Sequence, residues 1–169
     1  MATTTRRTTR KTNQNVKRRR SAEKIPSSAT RTPRHDYAKL IGVNVKNPVE
    51  LVRHVEKGLA FTAVEALQHQ MHLATKEMAQ LLDIKFRTFL RRKEAGRLQP
   101  AESDRVLRTS RLFARAQDLF DGNQEAARGW LLTPQRALGG AIPLEIAKTV
   151  VGAREVEKII GRLEQGVFT

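Results

Sequence analysis

The sequence predicts an all-α fold. Three observations carry that expectation. From Tyr37 onward, apolar residues recur three and four positions apart, the period of a helix with one buried face. Proline and glycine fall where helices start and stop. No stretch shows a convincing two-residue alternation of the kind a half-buried strand requires. At 169 residues the chain is long enough for one domain or two small ones.

The elements follow in order. Asn47 is placed as an N-cap with Pro48 at the first helical position; Leu51, Val52 and Val55 form the apolar stripe, and Gly58 closes the helix. Thr62 caps the next, which turns Val64, Leu67 and Met71 inward, and Thr75 caps a third with Met78, Leu81 and Leu82 at helical spacing. After a short break at Asp83-Ile84, a helix runs from Phe86 to Ala95 and ends at Gly96. Two short helices joined by a tight turn make a helix-turn-helix. Ala79 is small enough for a close approach of the two helices. Asp83 stands where many such turns carry glycine, and aspartate tolerates the left-handed conformation. Ile84, Phe89 and Leu90 are expected to anchor the second helix.

A long helix follows from Ala101 to Phe120, with Glu102 and Asp104 in its first turn, where the helix dipole favours acids. Val106, Phe113, Ala116 and Phe120 mark its buried side. Asn123 then caps Gln124 to Leu132, which carries Trp130 and stops at Pro134. Leu138 to Pro143 is a turn into a short helix starting at Pro143 and broken by Gly152. The last helix, Ala153 to Gln165, puts Val156, Ile159, Ile160 and Leu163 on one face. Gly166 ends it.

Charge divides the chain differently. The net charge is +15, and the pI near 11.2 points to a polyanionic partner. Residues 1–35 carry +10 and residues 85–115 carry +7, while the two remaining segments are each −1. The first block is Thr, Ser, Arg, Lys and Pro with few large aliphatics, a composition that buries too little apolar surface to offset ordering entropy. It is expected to be a disordered basic arm. The run Lys17-Arg18-Arg19-Arg20 fits an arm that contacts phosphates, and a solvated tail is the other open reading. An organelle transit peptide is disfavoured because the segment lacks an amphipathic Leu/Phe face.

The second block coincides with the helix-turn-helix. Lys85, Arg87, Thr88, Arg91, Arg92 and Lys93, with Arg97 just beyond, are the expected DNA-binding residues. Arginine can bind guanine bidentately in the major groove, and lysine or threonine can hold phosphates. Along the long helix, Arg105, Arg108, Arg111 and Arg115 form a row that reads either as a second phosphate stripe or as a solubilising face.

Chemistry is otherwise sparse. Cysteine is absent, which excludes disulfide scaffolds, thiolate zinc sites and thiol nucleophiles. Aromatics make up 5% of the chain, too few for single-strand stacking platforms. No apolar run approaches the length of a membrane span. His69 and His72 lie three apart with Glu65 one turn before, but no fourth ligand is visible. Gly139-Gly140 lacks the Gly-Lys-Ser/Thr of a phosphate loop. Neither Ser103 nor Ser110 neighbours a histidine. No catalytic set, cofactor, metal or small-molecule substrate is expected.

The last third carries an ordered set of motifs: Trp130-Leu131, Pro134, Ala137-Leu138-Gly139-Gly140, Pro143-Leu144-Glu145, Gly152-Ala153-Arg154-Glu155-Val156 and Gly161 through Phe168. Upstream stand Thr88 through Arg92, Gly96-Arg97-Leu98 and Glu102 through Arg105. Together, over about residues 40–169, these resemble the Xre/MbcA/ParS antitoxins: an Xre-type helix-turn-helix followed by a toxin-binding domain. The basic arm lies outside that core. The resemblance implies a bacterial, cytoplasmic antitoxin with two roles. It would neutralise a RES-type, NAD-degrading toxin by occluding the active site with its C-terminal segment. It would also bind double-stranded operator DNA, as a homodimer, to repress its own operon. The domains would be 1–35 (arm), 36–115 (helix-turn-helix) and 116–169 (toxin binding). Arg154, Glu157, Lys158, Arg162, Glu164, Gly166, Val167 and Phe168 are the expected toxin contacts, with Phe168 as a plug and Gly152, Gly161 and Gly166 permitting close backbone approach. The alternative is a stand-alone helix-turn-helix repressor or nucleoid-associated protein that needs no toxin.

Overall fold

Among residues 1–2 and 36–166, which the computed structural model describes, the regular structure is helical and no strand is present. The basic arm expected over residues 1–35 lies outside the described residues apart from Met1 and Ala2. The helices are α1 (Asp36–Leu40), α2 (Pro48–Glu56), α3 (Thr62–Met71), α4 (Thr75–Leu81), α5 (Phe86–Ala95), α6 (Pro100–Leu119), α7 (Gln124–Leu132), α8 (Pro143–Ile146) and α9 (Val150–Glu164), with a 3-10 turn at Arg136–Leu138.

Local signals explain most of these bounds. Asn47 caps α2 by accepting the Glu50 amide at 2.9 Å, and Pro48 occupies its first turn. Asn123 caps α7 by accepting the Ala126 amide at 3.0 Å. Gly96 ends α5 in the left-handed conformation, φ 69°. Asp83 adopts φ 51° in the turn between α4 and α5, as its place in the motif requires.

Several expectations are corrected. Thr62 and Thr75 are first helical residues rather than caps. The chain has already turned helical at Phe61 (φ −63°), and Ala74 is the cap of α4, its amide donating to the Glu77 carboxylate at 2.7 Å. Gly152 does not break a helix. The short helix ends at Ile146, and Gly152 lies in the first turn of α9, where Thr149 Oγ1 accepts its amide at 3.0 Å. A Cβ on Gly152 would stand 2.0 Å from the Ile146 carbonyl oxygen, so glycine there lets the two helices meet. Leu90 does not anchor α5: it is 40% exposed, whereas Phe89 and Ile84 are buried.

Long α6 is the hub, touching α1, α2, α3, α7 and α9. It buries Val106, Leu112, Phe113 and Ala116 in one core, shared with Leu67, Met71 and Met78 on one side of the sequence and Leu131, Leu144, Val156 and Ile160 on the other. The sequence division expected at 115/116 falls inside α6, so the helix itself spans both halves.

Candidate functional site

The turn region is held from below by buried contacts. Phe89 is fully buried and meets Phe61 edge-to-face, ring centroids 5.1 Å apart. The loop before α3 pairs with the loop after α5: the Phe61 amide donates to Gly96 O, and the Leu98 amide to Leu59 O, both at 2.9 Å. Buried Ser103 locks this junction, its Oγ accepting the Leu59 amide at 2.8 Å and donating to Gln99 O at 2.9 Å.

The expected DNA-binding residues fall into two groups. Arg92 and Arg97 serve this framework. Arg92 Nε donates to both Glu102 oxygens, at 2.8 and 3.0 Å, and Arg97 donates to Gly58 O at 2.7 Å. Glu102 also accepts the Gln99 amide at 2.8 Å, so one carboxylate starts α6 and fixes α5 to it. Lys93 pairs with Glu65 at 3.2 Å on the surface.

Lys85, Arg87, Thr88 and Arg91 point outward. Arg87, Thr88 and Arg91 line one shallow hollow with Leu90 and Glu94. Lys85, Arg87 and Arg91 have no ion pair among the described residues. No side chain caps the first turn of α5, so its amides and partial positive charge face outward beside these cations.

The arginine row on α6 is engaged within the fold rather than left to solvent. Arg105 donates to Leu82 O at 3.2 Å and Asp83 O at 2.9 Å, closing the last turn of α4. Arg108 donates to Lys148 O at 2.9 Å, just past α8, and pairs with Asp104. Arg111 meets Glu157 at 2.6 Å, and Arg115 meets Glu164 at 3.1 Å. The row therefore clasps the helix-turn-helix turn at one point and α8 and α9 at three others.

That clasp sorts the expected toxin-binding residues. Glu157 and Glu164 turn toward α6. Arg154, Lys158, Arg162 and Gly166 are exposed, Lys158 paired with Glu155 at 2.6 Å along the same helix. Val167 and Phe168 lie outside the described residues. Sequence reasoning missed Val150 and Val151, which are 52% and 70% exposed at the start of α9. With Arg154 and Arg162 they make an apolar-basic strip along its outer side, and Val150 and Arg154 border a hollow with Leu107 and Arg108 of α6. Two adjacent valines before the Gly-Ala pair were the available signal. Among the described residues no group of three or more metal-ligating side chains comes together, and His69 and His72 sit with ring centroids 6.2 Å apart. No described helix is long and apolar enough to cross a membrane.

Comparison with known proteins matches both regions. Residues 50–111 match the antitoxin Xre-like helix-turn-helix domain, and residues 115–166 the antitoxin Xre/MbcA/ParS C-terminal toxin-binding domain. The chain is similar to the antitoxin Xre of Yersinia enterocolitica, 32% identical over 145 residues, covering 85% of this chain and 97% of that one. It is also 32% identical to the antitoxin Xre of Photorhabdus laumondii over 116 residues, 68% of this chain and 78% of the other. A Sphingobium protein named Prs ADP-ribosylating antitoxin is 26% identical over 133 residues, 72% of this chain and 82% of the other.

Proposed function

Because this chain belongs to the Xre/MbcA/ParS antitoxin family, whose members are regulatory and inhibitory proteins and not enzymes, we propose that it neutralises a RES-type, NAD-degrading toxin and represses its own operon as a cytoplasmic homodimer. The observation that carries the first half is the exposed strip of α9, Val150, Val151, Arg154, Lys158 and Arg162, lying within the matched toxin-binding segment. An α9 fixed from behind by Arg111 and Arg115 presents these side chains on a rigid helix, which lowers the ordering cost of association. In this reading Gly166, Val167 and Phe168, the last two outside the described residues, are the segment that occludes the toxin's active-site entrance. The operator half rests on Lys85, Arg87, Thr88 and Arg91. Arg92 and Arg97 keep the reading helix in place and contribute to DNA binding indirectly.

Co-expression with the product of the neighbouring gene, expected to be a RES-type protein, tests the reading. The wild-type chain is expected to restore growth and cellular NAD. A chain ending at Gly166 is expected to bind the toxin but protect weakly. Val151→Glu with Arg154→Glu is expected to lose binding outright, since burying an unpaired carboxylate in an interface costs several kcal/mol, about a hundredfold or more in affinity. Full protection by both variants would overturn occlusion by this end of the molecule. Absence of any RES-type neighbour, with operon repression intact, would favour the stand-alone repressor.

A further inference from the structure

The large exposed apolar residues of the helical body fall in pairs on three helices: Val49 and Val52 on α2, Phe86 and Leu90 on α5, Val150 and Val151 on α9. The α5 pair has a distinctive setting. Phe86 is 46% and Leu90 40% exposed, one helical turn apart, although Phe89 between them is fully buried. Leu90 lies in the same hollow as Arg87, Thr88, Arg91 and Glu94. Leu90 thus sits inside the basic exposed face of the helix-turn-helix, and Phe86 is exposed one helical turn before it.

We infer that Phe86 and Leu90 read thymine 5-methyl groups in the major groove, giving the operator half-site a required thymine beside the guanines that Arg87 and Arg91 would hold. This rests on the DNA-binding reading above. The chemistry follows from what a base pair displays: the thymine 5-methyl is the largest apolar group on the major-groove edge, where the other bases present hydrogen-bond donors and acceptors and, on cytosine, only a C5–H. Apolar side chains gain nothing from phosphates and bury less apolar surface against the other three bases than against a thymine methyl. The charge of the surroundings selects a duplex over a protein. Lys85, Arg87 and Arg91 have no acidic partner among the described residues, and a polyanion satisfies them where an apolar protein surface would leave them desolvated.

The test uses the full-length chain and the DNA upstream of its own operon, bound in parallel as the natural sequence and with deoxyuridine replacing thymine across the footprint. Wild type is expected to bind the uridine probe about three- to fivefold more weakly for each buried methyl that the probe lacks. Leu90→Ala and Phe86→Ala are expected to bind thymine and uridine probes alike, while Arg91→Ala weakens both and keeps the difference. Equal binding of both probes by wild type would overturn the inference and leave the DNA reading standing. Binding to neither probe would overturn both. A change from dimer to monomer in the Leu90→Ala and Phe86→Ala variants by analytical ultracentrifugation, with thymine discrimination retained, would assign the pair to a second copy of the chain instead.

Discussion

Ser103 joins the loop before α3 to the start of α6 through one hydroxyl, accepting from Leu59 and donating to Gln99 with no exposed surface. Ser103→Ala keeps the volume nearly constant but leaves the Leu59 amide buried without a partner. The expected loss is about 1–3 kcal/mol of stability, read as a lower urea midpoint at unchanged m-value. Two glycines of α9 separate close packing from simple flexibility. Gly152→Ala drives a Cβ to 2.0 Å from the Ile146 carbonyl oxygen, and the α8–α9 contact must open, at an expected cost of about 1–3 kcal/mol or more. Gly161→Ala meets nothing nearer than Arg115 Nη2 at 3.6 Å and is expected to gain about 0.5–1 kcal/mol as a glycine leaves a helix interior. Urea titration of both variants checks the pair, and the opposite order of stabilities would refute the packing assignment. Neither serine nor glycine announced its role: the partner of Ser103 lies 44 residues away, and glycine before a helix reads equally as a break or a close contact.

Helix α6 shows where element-level reading succeeds and where it stops. Its span, read as Ala101 to Phe120 and found as Pro100–Leu119, and its buried side are legible because Val106, Phe113 and Ala116 recur at helical spacing and Glu102 marks its first turn. The bounds of α5 were legible for the same reason, with Gly96 as the stop. The arginine row on α6 was not, since a charged helix face has the same sequence pattern whether it meets water or carbonyls. Its partners at Leu82, Lys148, Glu157 and Glu164 are set by the tertiary fold alone. Leu90 shows the opposite case: an apolar residue beside a buried phenylalanine reads as core, while the helix turns it outward. The row's true role has a measurable signature. Lys85→Ala is expected to reduce the slope of log K against log salt by about 0.9 for the phosphate no longer neutralised, while Arg87→Ala and Arg91→Ala, which would lose base contacts, are expected to weaken operator binding and relax specificity with little change of slope. Arg111→Ala and Arg115→Ala are expected to leave that slope unchanged and to lower stability instead. The expected loss is about 1 kcal/mol or less for the half-exposed Arg115–Glu164 pair. A reduced slope in the α6 variants would return the row to the DNA interface.

At the scale of the molecule, charge and fold divide the proposed labour. The segment from 116 onward is nearly neutral, at −1, so the proposed toxin recognition would depend there on shape, exposed valines and a few cations, which salt screens weakly once they are buried. The positive charge belongs to residues 1–35 and 85–115, and at 85–115 several arginines are already committed to Glu102, Glu157, Glu164 and backbone carbonyls. Few cations of the helical body are then left for phosphates, and the arm's +10 becomes the larger reservoir for counterion release. A chain starting at residue 36 is therefore expected to keep full toxin neutralisation in co-expression while losing affinity for operator DNA. The loss is expected to be large at 50 mM salt and small at 300 mM, since each phosphate given up removes about 0.9 from the salt slope. If the arm neutralises about four to six phosphates, its removal lowers the slope by about 4–5, and discrimination between operator and unrelated DNA is expected to rise because the remaining interface would include the proposed base-reading face of α5. Anisotropy titrations at four salt concentrations, on both DNAs, measure both quantities at once. An unchanged slope would place the arm in solvent and make the exposed cations of α5 sufficient for binding.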